Sequence, residues 1–305
     1  MTFSVDSCAG VSIVLPAKNE MAAIGETLTA LRQICPEAEI IVVDDGSTDA
    51  TAKIAREAGA RVLSHPYPKG NGAAIKTGAG AAKGEVIVFM DADGQHDPAD
   101  VPRLLARLSE GCDMVVGARQ KGTQASSGRR LANALYNAAA TYMTGHKIED
   151  LTSGFRAVRA DKFREFLYML PNGFSYPTTS TMAFFRSGYT VAYVPIHAMR
   201  RKGKSHIRIV RDGLRFLLII LKIGTLFSPL KIFAPIAALI FVVSSCWYGY
   251  TFSTLGRFTN MSALLYMASI MIFLLGLISE QITVLMYKDH QHNGEKTGIN
   301  ASVNR

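Results

Sequence analysis

The pattern of hydrophobic and polar positions divides the chain into two parts. Over roughly the first two thirds, short runs rich in Val and Ile alternate with longer, Ala-rich stretches that have the period of amphipathic helices. The short runs are typical of strands. This alternation predicts an α/β fold in which helices cover a mostly parallel sheet.

Five strands and four helices are predicted in this part. The strands are Val11–Leu15, Glu39–Val43, Arg61–Leu63, Glu85–Met90 and Asp113–Val116. The helices between them are Ala22–Gln33, Ala50–Ala58, Ala73–Ala82 and Pro98–Leu108. Ligands of such sheets bind beyond the carboxyl ends of the strands, so we expect the functional site at that edge.

Two long apolar stretches follow, Pro229–Phe252 and Met261–Tyr287. Each is longer than the about 20 helical residues needed to cross the hydrocarbon of a bilayer. A buried core helix is the alternative, but such helices are usually shorter and have a polar stripe, whereas these stretches contain one Lys and one Glu. The pattern therefore predicts a transmembrane hairpin.

The position of this hairpin divides the chain into four predicted segments. We predict a soluble domain over 1–205, an amphipathic interfacial helix over 206–228, the hairpin over 229–287 and a polar tail, expected to be unstructured, over 288–305. For residues 206–227 an ordinary surface helix of the soluble domain fits the pattern equally well. Proximity to the first span favours the interface.

Basic residues predict the orientation of the hairpin. Eight Lys and Arg residues lie between Arg200 and Lys222, and Lys288 follows the second span, whereas the connecting loop contains only Arg257. This asymmetry predicts that the soluble domain and both termini are cytoplasmic, at the cytoplasmic (inner) membrane. The N-terminus has no secretory signal pattern. Much of the net charge of +9 lies beside the first span, which favours contact with lipid headgroups or phosphate over nucleic acid.

The four cysteines, at positions 8, 35, 112 and 246, are scattered without a CxxC pair. Their spacing argues against a zinc site or a disulfide framework and suits a reducing compartment.

Acidic residues follow two of the predicted strands. Asp91 and Asp93 come directly after an apolar strand, with Gln95 two residues later. In an extended stretch these three side chains face one side and offer oxygen ligands to one cation. Such ligands suit Mg²⁺ or Mn²⁺ sharing its shell with substrate phosphates. A DxD triplet is often only a solvated turn, but its place after a buried strand favours a metal site.

The second acidic pair, Asp44 and Asp45, ends another apolar strand. We expect Asp45 to accept hydrogen bonds from a base or ribose, and Asp44 to satisfy backbone amides. The Gly-rich run over residues 69–83 resembles a phosphate loop in spacing, but Ile75 occupies the position of a required Gly. We interpret it as a turn that opens a helix, with Lys69 or Asn71 near a nucleotide.

Four motifs occur in order along the chain: PAKNE at 16–20, DDGS at 44–47, DADGQH at 91–96 and DLTSGFR at 150–156. Together they resemble the dolichyl-phosphate mannose synthase-like branch of the family 2 glycosyltransferases, which transfer sugars to polyprenyl phosphates. The resemblance covers roughly residues 11–210 and the two-span tail. It implies a GT-A fold and inverting transfer of a sugar of the mannose or glucose class. The donor would be a GDP- or UDP-sugar and the acceptor undecaprenyl or dolichyl phosphate.

The resemblance also implies site residues. Those around the donor nucleotide are Pro16, Ala17, Asn19, Glu20, Val43, Asp45 and Ala92. The implied metal ligands are Asp91, Asp93 and Gln95. The basic residues implied at donor or acceptor phosphates are Arg119, Arg130, Arg201 and Lys204, and Arg119 is expected to act in catalysis together with Asp91 and Asp93.

The chain also departs from the family pattern. Residues 176–181 lack the acidic residue that many relatives carry in this helix, and His206 stands where a Lys is common. These departures leave the sugar open. A lipid phosphate is largely a dianion at neutral pH and needs no general base, so we expect Asp150 to brace its loop with Arg156. A role as base or in orienting the acceptor is the alternative.

Two other functions compete with this interpretation. A processive polysaccharide synthase predicts a longer membrane channel and a Gln-x-x-Arg-Trp motif, but Trp247, the one tryptophan, lies in a span. A non-catalytic nucleotide-binding membrane adaptor would retain the fold without activity. Glu280, inside the second span, is either functional, or snorkels to the nearby cytoplasmic end, or is bonded to a neighbouring helix or subunit. The spans are also compatible with a homo-oligomer.

Overall fold

The computed structural model describes residues 3–119, 127–173, 176–197 and 224–303, with side chains outside 127–133 and 286–303. The chain forms two compact units, Met1–His206 and Ile207–Arg305. The first unit contains a mixed β-sheet with helices, and the second contains a helical hairpin.

A seven-stranded sheet is the centre of the first unit. Its strands are β1 Val11–Ala17, β2 Glu39–Asp44, β3 Arg61–Ser64, β4 Val86–Phe89, β5 Met114–Arg119, β6 Arg156–Arg159 and β7 Val191–Ile196. Their order is β3-β2-β1-β4-β6-β5-β7. Only β6 is antiparallel to its neighbours β4 and β5, which confirms the predicted mostly parallel sheet.

Seven helices accompany this sheet among the described residues. They are α1 Ile24–Ile34, α2 Thr51–Glu57, α3 Asn71–Ala81, α4 Val101–Ser109, α5 Ser127–Thr144, α6 Ala160–Arg164 and α7 Tyr176–Arg186. A 3-10 turn, Pro98–Asp100, precedes α4. All nine predicted elements are present, with ends shifted by a few residues.

Side chains on β1 explain why its sequence is continuously apolar. Ile13 and Leu15 are buried in one core with α1 and α4. Val14, between them, points to the other face, where a Cβ at Gly78 of α3 would lie only 2.3 Å from its Cγ1. Helices therefore cover both faces of the sheet, and α3 approaches so closely because residue 78 has no side chain.

The prediction from cysteine spacing was wrong for one pair. Cys8 and Cys35 form a disulfide, with Cα atoms 5.1 Å apart, and both side chains are buried. Cys8 precedes β1 and Cys35 caps the end of α1, so the return of α1 along β1 brings together residues that are 27 positions apart. Cys112 and Cys246 are free.

The second unit contains α8, Pro229–Leu255, and α9, Asn260–Val303. Segments Pro229–Leu255 and Asn260–Leu285 are long and apolar enough to cross a membrane, with mean hydropathy 1.9 and 2.3. The tail after residue 287 continues α9 as far as Val303, contrary to the unstructured tail predicted; no proline interrupts it. Of the predicted interfacial helix, 206–223 lies outside the described residues.

Polar contacts join the two helices along the hairpin. Ser269 Oγ donates to the Ala237 carbonyl oxygen at 2.8 Å, and Tyr266 Oη to Ser245 Oγ at 3.1 Å. Nearer the chain entry to α8, the Leu230 amide donates to Glu280 Oε2 at 3.3 Å. Of the alternatives for Glu280, the structure therefore supports a bond to the neighbouring helix.

Candidate active site

The loops that follow β1, β2 and β4 meet at the carboxyl edge of the sheet, as predicted. They surround a cavity of about 570 Å³. The sequence-predicted residues that line it are Pro16, Ala17, Glu20, Asp45, Asp91, Ala92 and Asp93. Lys69 and Asn71 also line it, together with residues that the sequence did not single out, Lys18 and Pro68 among them.

Two predicted nucleoside residues do not line this cavity. Asn19 is exposed and has a left-handed backbone (φ 56°). Its amide donates to Ser47 Oγ at 2.9 Å and its Oδ1 accepts from the Thr48 amide at 2.8 Å, so it links the first and second motifs. Val43 is buried in β2, and its side chain faces Gly78 of α3.

Asp45 is buried and ties the wall of the cavity together. Its Oδ1 accepts from the Lys69 amide and its Oδ2 from the Gly70 amide, each at 2.8 Å. His65 Nδ1 lies 2.7 Å from Oδ1. Burial alone would raise the pKa of Asp45, but the hydrogen bonds from His65, Lys69 and Gly70 outweigh it and lower the pKa.

The Gly-rich run is a helix start, as predicted, rather than a phosphate cradle. At the N-terminus of α3 the Gly72 amide donates to the Gly173 carbonyl oxygen at 3.2 Å, and the Ala73 amide to that of Asn172 at 3.0 Å. A Cβ at Gly72 would lie 1.9 Å from the Pro171 carbonyl oxygen. These amides are therefore engaged by residues 171–173.

The Asp91–Gln95 segment is a turn, so the extended geometry expected from the sequence was wrong. Gly94 has φ 72°, and the Gln95 amide donates to Asp93 Oδ1 at 3.1 Å. Asp91 and Asp93 nevertheless both line the cavity, whereas Gln95 does not. The Asp91 amide donates to Nδ1 of the buried His96 at 3.3 Å, and the His96 ring stacks on Phe155. This packing holds the turn against the core.

A second, smaller cavity lies beside Asp91. It measures about 90 Å³ and shares Asn71 and Asp91 with the larger one. Thr152, Gly154 and residues 176–178 complete its lining. Asp91 thus lies where the larger cavity meets the smaller one.

The fourth motif is held by an ion pair that differs from the one predicted. Asp150 pairs with Arg119, not Arg156: Arg119 Nε donates to Oδ2 at 2.8 Å and Nη2 to Oδ1 at 3.0 Å. The Thr152 and Ser153 amides also donate to Asp150, each at 3.1 Å. Arg119 reaches Asp150 because β5, which ends at Arg119, lies beside this loop. The two residues are 31 positions apart, so their pairing could not be predicted from the sequence.

Charge pairing shifts the pKa values of both partners. Burial would raise the pKa of Asp150, but its hydrogen bonds and attraction to Arg119 lower it. Burial would lower the pKa of Arg119, but hydrogen bonding to Asp150, the charge of Asp150 and then that of Asp91 raise it. Asp150 is thus a carboxylate whose oxygens are occupied, a bracing group rather than an available base.

Arg156 is fully buried and connects the fourth motif to α7. Its Nη1 donates to the Pro177 carbonyl oxygen at 3.0 Å and to Ser180 Oγ at 2.8 Å, and its Nη2 donates to the Ser153 carbonyl oxygen. Burial lowers its pKa. The start of α7 is rich in hydroxyl groups and is therefore the partner of a buried arginine. From the sequence, this segment was noted only for lacking an acidic residue.

The remaining predicted residues are not covered by the structure. Arg201 and Lys204 lie outside the described residues, and Arg130 lies in α5 without a described side chain. Their roles stay predictions.

The carboxylates fit a hard divalent cation that shares its shell with a ligand. Asp91 is 37% exposed in its side chain, and both it and Asp93 line the cavity. No group of three or more His, Cys, Asp or Glu residues suited to a metal occurs among the described residues. Two carboxylates with open positions are the donor set expected for Mg²⁺ or Mn²⁺ on a phosphorylated substrate.

Comparisons with known proteins agree with this architecture. The family model "Glycosyl transferase family 2" matches residues 12–167, and the model "GtrB C-terminal hairpin" matches residues 228–285. Among solved structures, glucosyl-3-phosphoglycerate synthase from Mycobacterium tuberculosis has a TM-score of 0.58 at 24% identity, over 72% of this chain and 80% of that one. The same enzyme with Mn²⁺ and UDP-glucose has a TM-score of 0.57 at 25% identity, over 72% and 79%. The GT-A fold is therefore shown.

Relatives with assigned activities match much of the chain, and one of them matches nearly all of it. Undecaprenyl-phosphate mannosyltransferase of Micrococcus luteus is 31% identical over 67% of this chain and 94% of its own length. Undecaprenyl-phosphate 4-deoxy-4-formamido-L-arabinose transferase of Pseudomonas fluorescens is 30% identical over 92% and 86%. The enzyme of that name from Proteus mirabilis is 37% identical, but the match spans only about half of it (48%). The chain belongs to glycosyl transferase family 2, in its polyprenyl-phosphate branch, and carries the C-terminal hairpin matched above.

Proposed function

We propose that this protein transfers one sugar of the mannose or glucose class from a GDP- or UDP-sugar to a polyprenyl phosphate, with inversion at the anomeric carbon. The acceptor is undecaprenyl or dolichyl phosphate. The observation that carries the proposal is the position of Asp91, where the 570 Å³ cavity adjoins the smaller compartment.

The larger cavity suits the nucleotide of the donor. Its size falls within the usual range for a small-molecule site, and it is open to the carboxylates of Asp91 and Asp93. Lys18 and Lys69 supply positive charge in the same lining. The smaller compartment, lined in part by Thr152 and Thr178, adjoins Asp91 and would receive the sugar.

Asp91 and Asp93 would hold Mg²⁺ or Mn²⁺ on the diphosphate, with Gln95 a further ligand by prediction. When bound, the cation stabilises the charge that develops on the departing nucleoside diphosphate. The likeness to the glucosyl-3-phosphoglycerate synthase solved with Mn²⁺ and UDP-glucose supports such a cation.

The protein's own residues position the reactants. A lipid phosphate has a second pKa of about 6 and is already nucleophilic at neutral pH. The saturated oxygens of Asp150 are consistent with a reaction that needs no base, and they fix Arg119 at the edge of the site. Arg119 thereby contributes charge near Asp91 and Thr152. We keep Arg130, Arg201 and Lys204 as proposed phosphate contacts.

The hairpin supports a membrane location for the acceptor. We propose that both helices cross the cytoplasmic (inner) membrane with the soluble unit and both termini in the cytoplasm, following the excess of Lys and Arg before α8. A polyprenyl chain stays in hydrocarbon, so an enzyme anchored beside it meets only the phosphate.

The test is transfer of radiolabelled sugar from a panel of GDP- and UDP-sugars to undecaprenyl or dolichyl phosphate in membranes, with Mg²⁺, Mn²⁺ or EDTA. We expect a lipid-extractable product from one donor that disappears with EDTA and in Asp91→Asn. Nucleotide binding without any transfer would favour the membrane adaptor, and a product of many sugars would favour a processive synthase.

A further inference from the structure

We propose that His65 is a positioning residue for the donor nucleotide, acting through the carboxylate of Asp45. The inference deepens the proposed function and rests on it. His65 belongs to none of the four motifs, and it does not line the cavity.

His65 lies directly after β3 and is almost completely buried (9% exposed). Its Nδ1 is 2.7 Å from Asp45 Oδ1, and its Nε2 is 3.0 Å from Thr77 Oγ1 on α3. A carboxylate only accepts hydrogen bonds, so Nδ1 carries the proton that is donated to Asp45. The imidazole is thus a rigid link between α3 and the end of β2.

Asp45 passes this constraint to the cavity. The carboxylate that accepts from His65 also accepts from the Lys69 and Gly70 amides, and both of these residues line the cavity. Gly46 closes the loop from the other side, since a Cβ there would lie 2.9 Å from the Pro68 nitrogen. The orientation of one carboxylate therefore sets the wall formed by residues 68–71.

His65 is well suited to fix that orientation because the other two donors to the Asp45 carboxylate are backbone amides of a loop, at Lys69 and Gly70. The imidazole, by contrast, is also bonded to Thr77 in α3. Loss of the Nδ1 donor therefore releases the carboxylate and the loop together, and the cost appears in nucleotide affinity.

Two substitutions separate the two ring nitrogens. His65→Asn places an amide nitrogen where Nδ1 stands and retains a donor to Asp45. His65→Gln places its amide near the position of Nε2 and retains only the contact with Thr77. His65→Ala removes both, and His146→Asn, at an exposed histidine stacked on Phe185, is the matched control.

Titration calorimetry of GDP and UDP with the full-length protein in detergent, with Mg²⁺ present, measures the effect. We expect His65→Asn and His146→Asn to bind within about threefold of wild type. His65→Gln and His65→Ala should bind about tenfold or more weakly, the order expected when a hydrogen bond to a buried carboxylate is lost. In transfer assays their KM for the donor should rise more than kcat falls. A thermal melt of each variant checks that it is folded.

Equal affinities for His65→Asn and His65→Gln would overturn the inference, as would a His65→Gln variant that binds like wild type. Wild-type protein that bound neither nucleotide would overturn the proposed function and the inference with it. If the wild type binds nucleotide and His65→Ala binds it equally well, only the inference about His65 is overturned.

Discussion

Gly154 lies directly against the carboxylate of Asp91. A Cβ at position 154 would stand 3.0 Å from Asp91 Oδ2, 3.2 Å from Oδ1 and 3.3 Å from the Tyr176 hydroxyl oxygen. The Tyr176 hydroxyl in turn donates to the Gly154 carbonyl oxygen at 3.0 Å. The fourth motif therefore closes over the proposed metal ligand only because residue 154 has no side chain.

Gly154→Ala tests this contact. The methyl group must displace Asp91 or the loop, and we expect transfer activity to fall about tenfold to a hundredfold, as for small misplacements of a reacting group. Overpacking should also cost about 1–3 kcal/mol of stability. Initial rates and thermal melts of the purified protein measure both.

Gly80→Ala is the control, since a Cβ at that position in α3 meets nothing within 4 Å. Its activity should equal that of the wild type, and its stability should rise by about 0.5–1 kcal/mol because Gly is unfavourable in a helix. A Gly154→Ala enzyme with full activity would show that Asp91 need not stay where it is.

Asp150→Asn should weaken the fold in a pH-dependent way. The folded-state pKa of Asp150 is depressed, so its pairing with Arg119 contributes stability above the unfolded pKa of about 3.9. That contribution is lost as the pH falls through the folded value. We expect the wild type to exceed Asp150→Asn by about 2–4 kcal/mol at pH 7 and the gap to close in acid.

Urea unfolding at pH 7 and near pH 3 provides the measurement, with Asp161→Asn at an exposed site as the control. The control should track the wild type at both pH values. A gap between wild type and Asp150→Asn that stayed constant with pH would mean that the charge of Asp150 does not stabilise the fold.

Structural features that depend on the local pattern of apolar and polar residues were predicted from the sequence. The first five strands and their helices follow from alternating apolar runs, and Asp45, Asp91 and Asp93 fall at strand ends that a parallel sheet brings to one edge. The antiparallel β6 and the edge strand β7 were missed. β6 is only four residues long, and partly exposed positions interrupt the pattern of β7.

Residue contacts that depend on tertiary packing could not be predicted from the sequence. The Arg119 pairing with Asp150 and the disulfide of Cys8 with Cys35 join residues 31 and 27 positions apart through the return of a strand or a helix. His65 lies outside all four motifs, and its contact with Asp45 joins residues 20 positions apart. A single glycine turn at Gly94 was enough to change the expected geometry of Asp91, Asp93 and Gln95.

Removal of the metal should separate binding from catalysis. Under the proposed function, EDTA or the double substitution of Asp91 and Asp93 by Asn abolishes transfer, because the charge on the departing diphosphate is no longer stabilised. Nucleoside binding should persist more weakly, since Asp45 and the wall at residues 68–71 are unchanged. Calorimetry with UDP and GDP, with and without Mn²⁺, measures this difference. Metal-independent transfer at the wild-type rate would contradict the assignment of Asp91 and Asp93.

Glu280 gives a prediction for the hairpin. Its Oε2 accepts from the Leu230 amide in the first turn of α8, whose amides have no partner within the helix. Glu280→Leu leaves this amide without that acceptor in an apolar setting, and we expect a loss of about 1–2 kcal/mol, at the upper end of polar contacts between membrane helices. Glu280→Gln keeps an acceptor oxygen and should remain close to wild type. Thermal melts followed by circular dichroism in detergent compare these variants with Gln281→Leu at the exposed neighbouring position. If Glu280→Gln lost as much stability as Glu280→Leu, the negative charge and not the hydrogen bond would hold the two helices together.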